Sequence, residues 1–516
     1  MRQLSENRRI FIASIINYVS FGINILVAIF YTPFLLNTLG DVNYGIRSFA
    51  TSFVMYSSLI GTGISAAYLR FANIKRNEFG EDGVRDVDGV FFKIFFILGI
   101  ANFVLGIILF FFFYFQVIPL AGYSDEQIFV ISCVVFLSFI TVGIKMPASV
   151  LILILNFKRK FIYRNLRYLL SSVFEYLFSF VCLLLGLTIF KSQVIMLSTI
   201  SLLSEIVFSI VTFIYLFIIL KHRVNIKRKV VEKTLWKDVI RFSILSLLIV
   251  AVMSLNDSTD RIILGFISPT AVTFYSLAIV FNAYIKTAVD SVSVLYIPRL
   301  TEEATSNNKE NLQHTFDFVS KVCTIILSFI VFGFICCGKE FIVLWLGKSR
   351  EEIYYYSIPL LVGMVFLYPQ HFSIHVQRAY GKQKFAAIAL SITFILNVLI
   401  SVALVWAFKN VANPALGCII GTLFTYVCET ILLSLYNKKT IDIKQNEIWK
   451  SIFVNLFIGF TISIIVIRTS EAIISGISPV FTMLLKGFVY VCVFALSQML
   501  INKKELRLFF KRKKKA

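Results

Sequence analysis

"ILSLLIVAVMSLNDSTDRIILG", residues 244–265, runs apolar for most of its length and then places Asp257, Asp260 and Arg261 within five positions. At about 1.5 Å of rise per residue, about 20 apolar residues cross a hydrocarbon core of about 30 Å. A span over 239–261 brings Asp257 about 18 residues, roughly 27 Å, from its start. The charges therefore fall at the far mouth of a membrane helix. Asp257 and Arg261, at i and i+4, read most simply as an ion-paired helix end. The sharper reading is a gate in which Asp257 and Asp260 hold Arg261 until substrate or a proton releases it.

The rest of the chain agrees with a membrane span. Its 516 residues are 58% hydrophobic and 15% charged, against about 45–50% and about 25% in soluble domains. The pattern predicts an all-α integral membrane protein with about 14 transmembrane helices, among them 10–36, 47–70, 90–117 and 479–502. Alternating strands of about 10 residues, the mark of a membrane barrel, are missing. The longest connections, about 15–20 residues, leave no room for a folded soluble domain. Without such a domain or a GxxxxGK[ST] loop, a built-in ATPase is excluded. Short outer loops also weigh against a membrane glycosyltransferase or polymerase.

Basic residues collect on alternate loops, such as "KRKFIYRNLR" (158–167) and "KHRVNIKRKVVEK" (221–233), and in the C-terminal tail. The split is about 35 Lys and Arg against about six, which predicts that both termini are cytoplasmic. Read this way, the net charge of +22 reports topology. Nucleic acid is not an expected partner, because the bases are scattered over separate segments without a binding module. The eight cysteines lie inside predicted spans without a CxxC pair, so neither disulfides nor a metal centre is expected.

Three landmarks recur: Leu39–Gly40 as Leu264–Gly265, Arg70 as Arg299, and "KRKF" (158–161) as "KQKF" (382–385). Each falls at the same point of a six-span unit. The expectation is two parallel six-helix bundles, 1–220 and 221–437, around a central cavity, with 438–516 adding two helices and a basic tail. Repeats of this kind suit alternating access.

Four stretches resemble one family: "INYVSFGINILVAIFYTPFLLNTLGDVNYGI" (16–46), "DRIILGFISPTAVTFYSLA" (260–278), "GKEFIVLWLG" (338–347) and "QRAYGKQKF" (377–385). They are similar to the bacterial oligosaccharide flippases of O-antigen and capsule export, in the multidrug-and-toxin-extrusion-like superfamily. The resemblance implies an inner-membrane flippase for undecaprenyl-diphosphate-linked glycan. It implies no cofactor, a proton or sodium ion for coupling, and membrane lipid, a polysaccharide polymerase and chain-length machinery as partners. Sister families export drugs as cation-coupled multidrug exporters or flip the peptidoglycan lipid precursor, and they stand as the alternatives.

Ionisable residues within spans cost several kcal/mol if they face lipid, which makes them the site candidates. A diphosphate headgroup must exchange its hydration for charge-assisted hydrogen bonds. The cations expected to provide them are Arg70, Lys145, Arg261, Lys286 and Arg299. Residues expected to gate or couple are Glu175, Glu205, Asp257, Asp260, Asp290, His371, His375 and Glu429. Each has a plainer reading. Arg70 and Arg299 are also snorkelling anchors, Lys145 also a polar partner for the break at Pro147, and Lys286–Asp290 an i,i+4 ion pair. His371 and His375 share that spacing but lack the acid of an HExxH motif, so simple polar packing is favoured over zinc.

Overall fold

A computed structural model describes residues 6–120, 122–225, 236–240, 243, 255, 258–306, 309–380, 382–410, 412–473 and 478–501. Asp257 and most of the expected span 239–261 lie outside the described residues. The chain forms two compact units, Met1–Thr273 and Phe274–Ala516.

In the first unit, α1 runs from Glu6 to Tyr114 but is broken at Gly40 and Gly80, where φ is 76° and 63°. Those left-handed values are routine only for glycine. Single residues thus turn the chain twice, and α1 contains three expected spans in sequence. α2 (Asp125–Phe157) starts on a capping box: Ser124 Oγ accepts from Gln127 N, and Gln127 Oε1 accepts from Ser124 N, satisfying two orphan donors of the first turn. α3 (Phe161–Leu184) and α4 (Gln193–Phe213) follow, the last continued by a π-helical turn, Ile214–Ile219. A core of Tyr68, Phe91, Phe95, Met146 and Leu155 joins α1 to α2.

The second unit contains most of α5 (Pro269–Thr305), then α6 (Lys309–Leu346), α7 (Glu352–His371), the short α8 (Ser373–Ala379), α9 (Gln383–Phe408), α10 (Ala415–Thr440), α11 (Asn446–Ile473) and α12 (Pro479–Ile501). Its core runs from Ile285 and Val289 through Phe316, Leu327 and Met364 to Ile448 and Ile452. A second cluster, Phe332, Cys336, Ile462, Val466, Tyr490 and Phe494, seats α11 and α12 against α6.

Eleven described helices are long and apolar enough to cross a membrane, counting α1 once. Many large apolar side chains point outward, Leu295 at 75% and Phe457 at 72% exposure among them, as expected where lipid replaces water as the surrounding solvent. Some buried hydroxyls bond back to the carbonyl four residues earlier, as Ser132 does to Ile128 and Thr212 to Phe208, which satisfies those groups in an apolar setting.

Candidate substrate and coupling sites

The two stretches of family resemblance in the first unit fold against each other. Gly45 leaves room for Pro269, whose carbonyl oxygen would lie 1.8 Å from an added Cβ, and an added Cβ on Gly265 would lie 1.9 Å from the Phe49 ring. The Phe49 and Phe266 rings meet edge to face at 5.5 Å. Thr273 Oγ1 donates to the Asp41 carbonyl at 2.6 Å, Tyr123 Oη donates to the Gly265 carbonyl at 2.6 Å, and Tyr56 shares a hydrogen bond with Thr259. The helical segment 258–265 is therefore locked to α1, and Asp260 is fully buried there.

That packing brings Arg261 to Tyr44, on which it acts electrostatically together with Arg47. Arg261 Nε is buried without a hydrogen-bond partner among the described residues. Arg47 also acts on Tyr31 and on Tyr176 of α3, whose rings lie 5.6 Å apart. Glu175, beside them, accepts a hydrogen bond from Ser201 of α4. Two guanidinium groups, three phenols and one carboxylate thus occupy one region of this unit, with donors suited to a phosphate and to sugar hydroxyls.

Arg47 was not among the expected residues. The expected span begins at residue 47, which reads an arginine there as an end anchor. The signal was Gly40: a turn at that residue starts the helix at once and puts Arg47 two turns inside it, with Tyr44 at i−3 on the same face.

Glu205 is held in an ion pair. Arg167 Nη2 lies 2.9 Å from Glu205 Oε1, the two side chains being 5% and 12% exposed. Arg167 Nε donates to Thr212 Oγ1, and Ser209 donates to Glu205. Sequence reasoning counted Arg167 as a loop base, but α3 starts at Phe161 and carries it inward. Arg70 and Lys145 are exposed on their helices.

A third group escaped the sequence reading. Asp88, fully buried, accepts from Tyr68 Oη and lies 2.7 Å from His222 Nε2. Asn225 Nδ2 donates to Asp86 at 2.7 Å, and Asn225 N to the Arg85 carbonyl. Burial holds the Lys158 ammonium below its usual range, although Asp88 and Glu81 oppose the shift. These acids sat in a stretch read as a loop; the one-residue turn at Gly80 puts them on a helix.

In the second unit, His371 ends α7, and its Nε2 lies 3.7 Å from Glu429 Oε1 on α10. Lys286 of α5 acts electrostatically on both, and on Asp290 one turn further along. Asp290 is exposed and His375 half-buried. Arg299 pairs with Glu303 at 2.7 Å, which also accepts from Thr315 of α6. Below His371 lies an uncharged network: Gln370 Nε2 donates to Gln445 Oε1, Asn437 Nδ2 to Gln370 Oε1, and Gln377 Nε2 to Asn437 Oδ1. Glu340, also unexpected, pairs with Lys486 at 2.6 Å and ties α12 to α6. Among the described residues no group of His, Cys, Asp or Glu is arranged to hold a metal ion.

Two helical units with many outward-facing apolar side chains and several buried ionisable groups define an all-helical multi-pass membrane protein. The chain belongs to the polysaccharide biosynthesis protein family, which matches residues 7–302. Its fold is that of the MOP superfamily. It is similar to the lipid II flippase MurJ in an inward closed conformation, at 14% identity and a TM-score of 0.68 over 93% of this chain and 100% of that one. An inward-facing multidrug resistance MATE family transporter gives 15% identity and a TM-score of 0.59 over 80% and 94%. A MOP superfamily transporter from Pyrococcus furiosus gives 17% and 0.54 over 85% and 96%. A comparison with curated proteins finds no match.

Proposed function

We propose that this protein is a flippase that moves an undecaprenyl-diphosphate-linked oligosaccharide, the repeat unit of a cell-surface polysaccharide, from the inner to the outer leaflet by alternating access. Family membership supports a transporter of polysaccharide biosynthesis. The observation that carries the finer reading is that Arg47 and Arg261 both act electrostatically on Tyr44, Arg47 acting also on Tyr31 and Tyr176. A diphosphate brings two or more negative charges, which a pair of guanidinium groups meets with charge-assisted hydrogen bonds. The tyrosines supply amphipathic surface for a sugar. The alternating basic loops put both termini in the cytoplasm in this reading, where the lipid-linked unit is made.

The test is depletion of the protein in a polysaccharide-producing cell. Lipid-linked oligosaccharide should accumulate on the cytoplasmic leaflet while surface polysaccharide falls. Normal export accompanied by raised drug sensitivity would overturn the reading in favour of a multidrug exporter.

A further inference from the structure

The second unit contains a group of ionisable side chains that headgroup binding at Arg47 and Arg261 does not use. Glu429 and His371 are 6% and 13% exposed at the side chain, and 3.7 Å separates their nearest atoms. That is an ion-pair contact but too long for a hydrogen bond. Glu429 Oε1 has no hydrogen-bond partner among the described residues. The acid is thus buried with its charge unsettled, beside the Lys286 ammonium that acts on it and on His371. On α5, one turn before Lys286, Asn282 is buried, and neither side-chain amide atom has a hydrogen-bond partner among the described residues.

The surrounding charges are few. His375 acts on His371, Arg378 acts on His375, and Asp290 faces Lys286 from the same helix. α9, packed on α10, carries Lys384 in its first turn as its sole charged residue. α6, packed on α7, brings half-buried Lys321, next to Ser320 whose hydroxyl donates to the Pro369 carbonyl. The charges of α11 are Glu447 with Lys450 and Arg468 with Glu471, each paired and exposed.

The charge balance then has two states. With Glu429 ionised, Lys286 charged and His371 neutral, the three-residue group carries no net charge. One added proton, on Glu429 Oε1 or on His371 Nε2, gives the same net charge of plus one in either microstate. In the first state the carboxylate's charge offsets that of the ammonium through space; in the second it no longer does. Lys286 is half-exposed and flanked on α5 by exposed Ala283 and Thr287, so an anion can reach it.

We propose that Glu429, His371 and Lys286 form a one-proton site whose protonation, by removing the offsetting negative charge, strengthens the binding of a phosphate-type anion at the Lys286 ammonium. The proposal rests on the lipid-diphosphate reading above and names, within the second unit alone, a proton-linked site for the same class of anion. By reciprocity, a proton that strengthens anion binding is itself bound more tightly when the anion is present.

The test uses the full-length protein in lipid nanodiscs. Farnesyl diphosphate is titrated calorimetrically in two buffers of different ionisation heat, with empty nanodiscs as the blank. Wild type should take up about one proton per ligand bound, and its affinity should weaken about tenfold per pH unit on the alkaline side. Glu429→Gln, which fixes the neutral form, should bind with the acid-limit affinity across the pH range and take up no proton. His371→Asn, which leaves the acid alone to titrate, should move the midpoint of the profile and serves as the second variant if the first is not monodisperse. Binding by wild type without proton uptake, or a profile unmoved by both substitutions, overturns the proton site and leaves the flippase reading standing. Failure of wild type to bind at any pH overturns both.

Discussion

Tyr123 donates its hydroxyl to the main-chain carbonyl of Gly265 at 2.6 Å, across 142 positions of sequence. Burial pushes this phenol above its ordinary range, so it remains a donor at physiological pH. The bond secures segment 258–265, and with it Arg261, against the first unit. Tyr123→Phe leaves the buried Gly265 carbonyl unsatisfied at a cost of about 1–3 kcal/mol. A lower thermal midpoint in detergent, with transport reduced but not abolished, is the expected result.

Gly45→Ala should be more severe. Its Cβ would meet the Pro269 carbonyl oxygen, a backbone atom, at 1.8 Å, so helix and turn must separate. Overpacking of this kind costs about 1–3 kcal/mol and often more where backbone is involved. Reduced membrane levels by immunoblot check it; normal levels and normal transport would show that the contact has slack.

Arg47→Ala and Arg261→Ala should each lower export of lipid-linked oligosaccharide while leaving the amount of folded protein near wild type. Arg47→Lys should restore export only in part, because an ammonium cannot make the paired planar contact of a guanidinium. Surface polysaccharide measured against protein level separates this outcome from misfolding.

Arg167 and Glu205 should behave as structure. Removing one partner leaves a buried charge uncompensated, at about 3–5 kcal/mol, whereas replacing both by apolar residues of like volume is close to neutral. A double-mutant cycle on thermal stability tests this. Equal losses in single and double variants would show instead that the pair itself contributes net stability.

Lys309 and Asp442, joined at 2.9 Å on the surface, provide a control for pH. Asp442 is held below its ordinary range by the Lys309 ammonium, so its contribution is present above the usual carboxylate range and is lost on acidification. Lys309 is held above its own range by Asp442, so its contribution is lost only as pH rises through that higher value. The pair is intact across neutrality. Asp442→Asn should leave the pH profile of ligand binding where it was.

The fold was largely legible because membrane helices announce themselves by length and apolarity: α1 contains most of the expected spans 10–36, 47–70 and 90–117, and α12 matches 479–502. Local turn geometry was less legible. Gly40 and Gly80 replace whole loops, so sequence reading puts Arg47 at the edge of a span and Asp86 and Asp88 in a connection, although all three lie inside helices. Periodicity sees a charge near the end of an apolar run and cannot tell whether a one-residue turn has carried it inward. Long-range pairing was not legible at all: Arg167 finds Glu205, and Lys486 finds Glu340, only after the helices cross. Asp290 and the half of α5 around it show the reverse case, since the i,i+4 spacing with Lys286 was visible but Glu429 and His371 were not yet its neighbours.

The amide network of Gln370, Gln377, Asn437 and Gln445 borders the His371–Glu429 group and contains no side chain that gains or loses a proton between mild acid and mild alkali. It works as an insulating mount. The broken end of α7 keeps its bearings whichever charge state its neighbours adopt, so a change of protonation there is expressed as a change in field on Lys286 rather than dissipated in loosening the helix that carries the histidine.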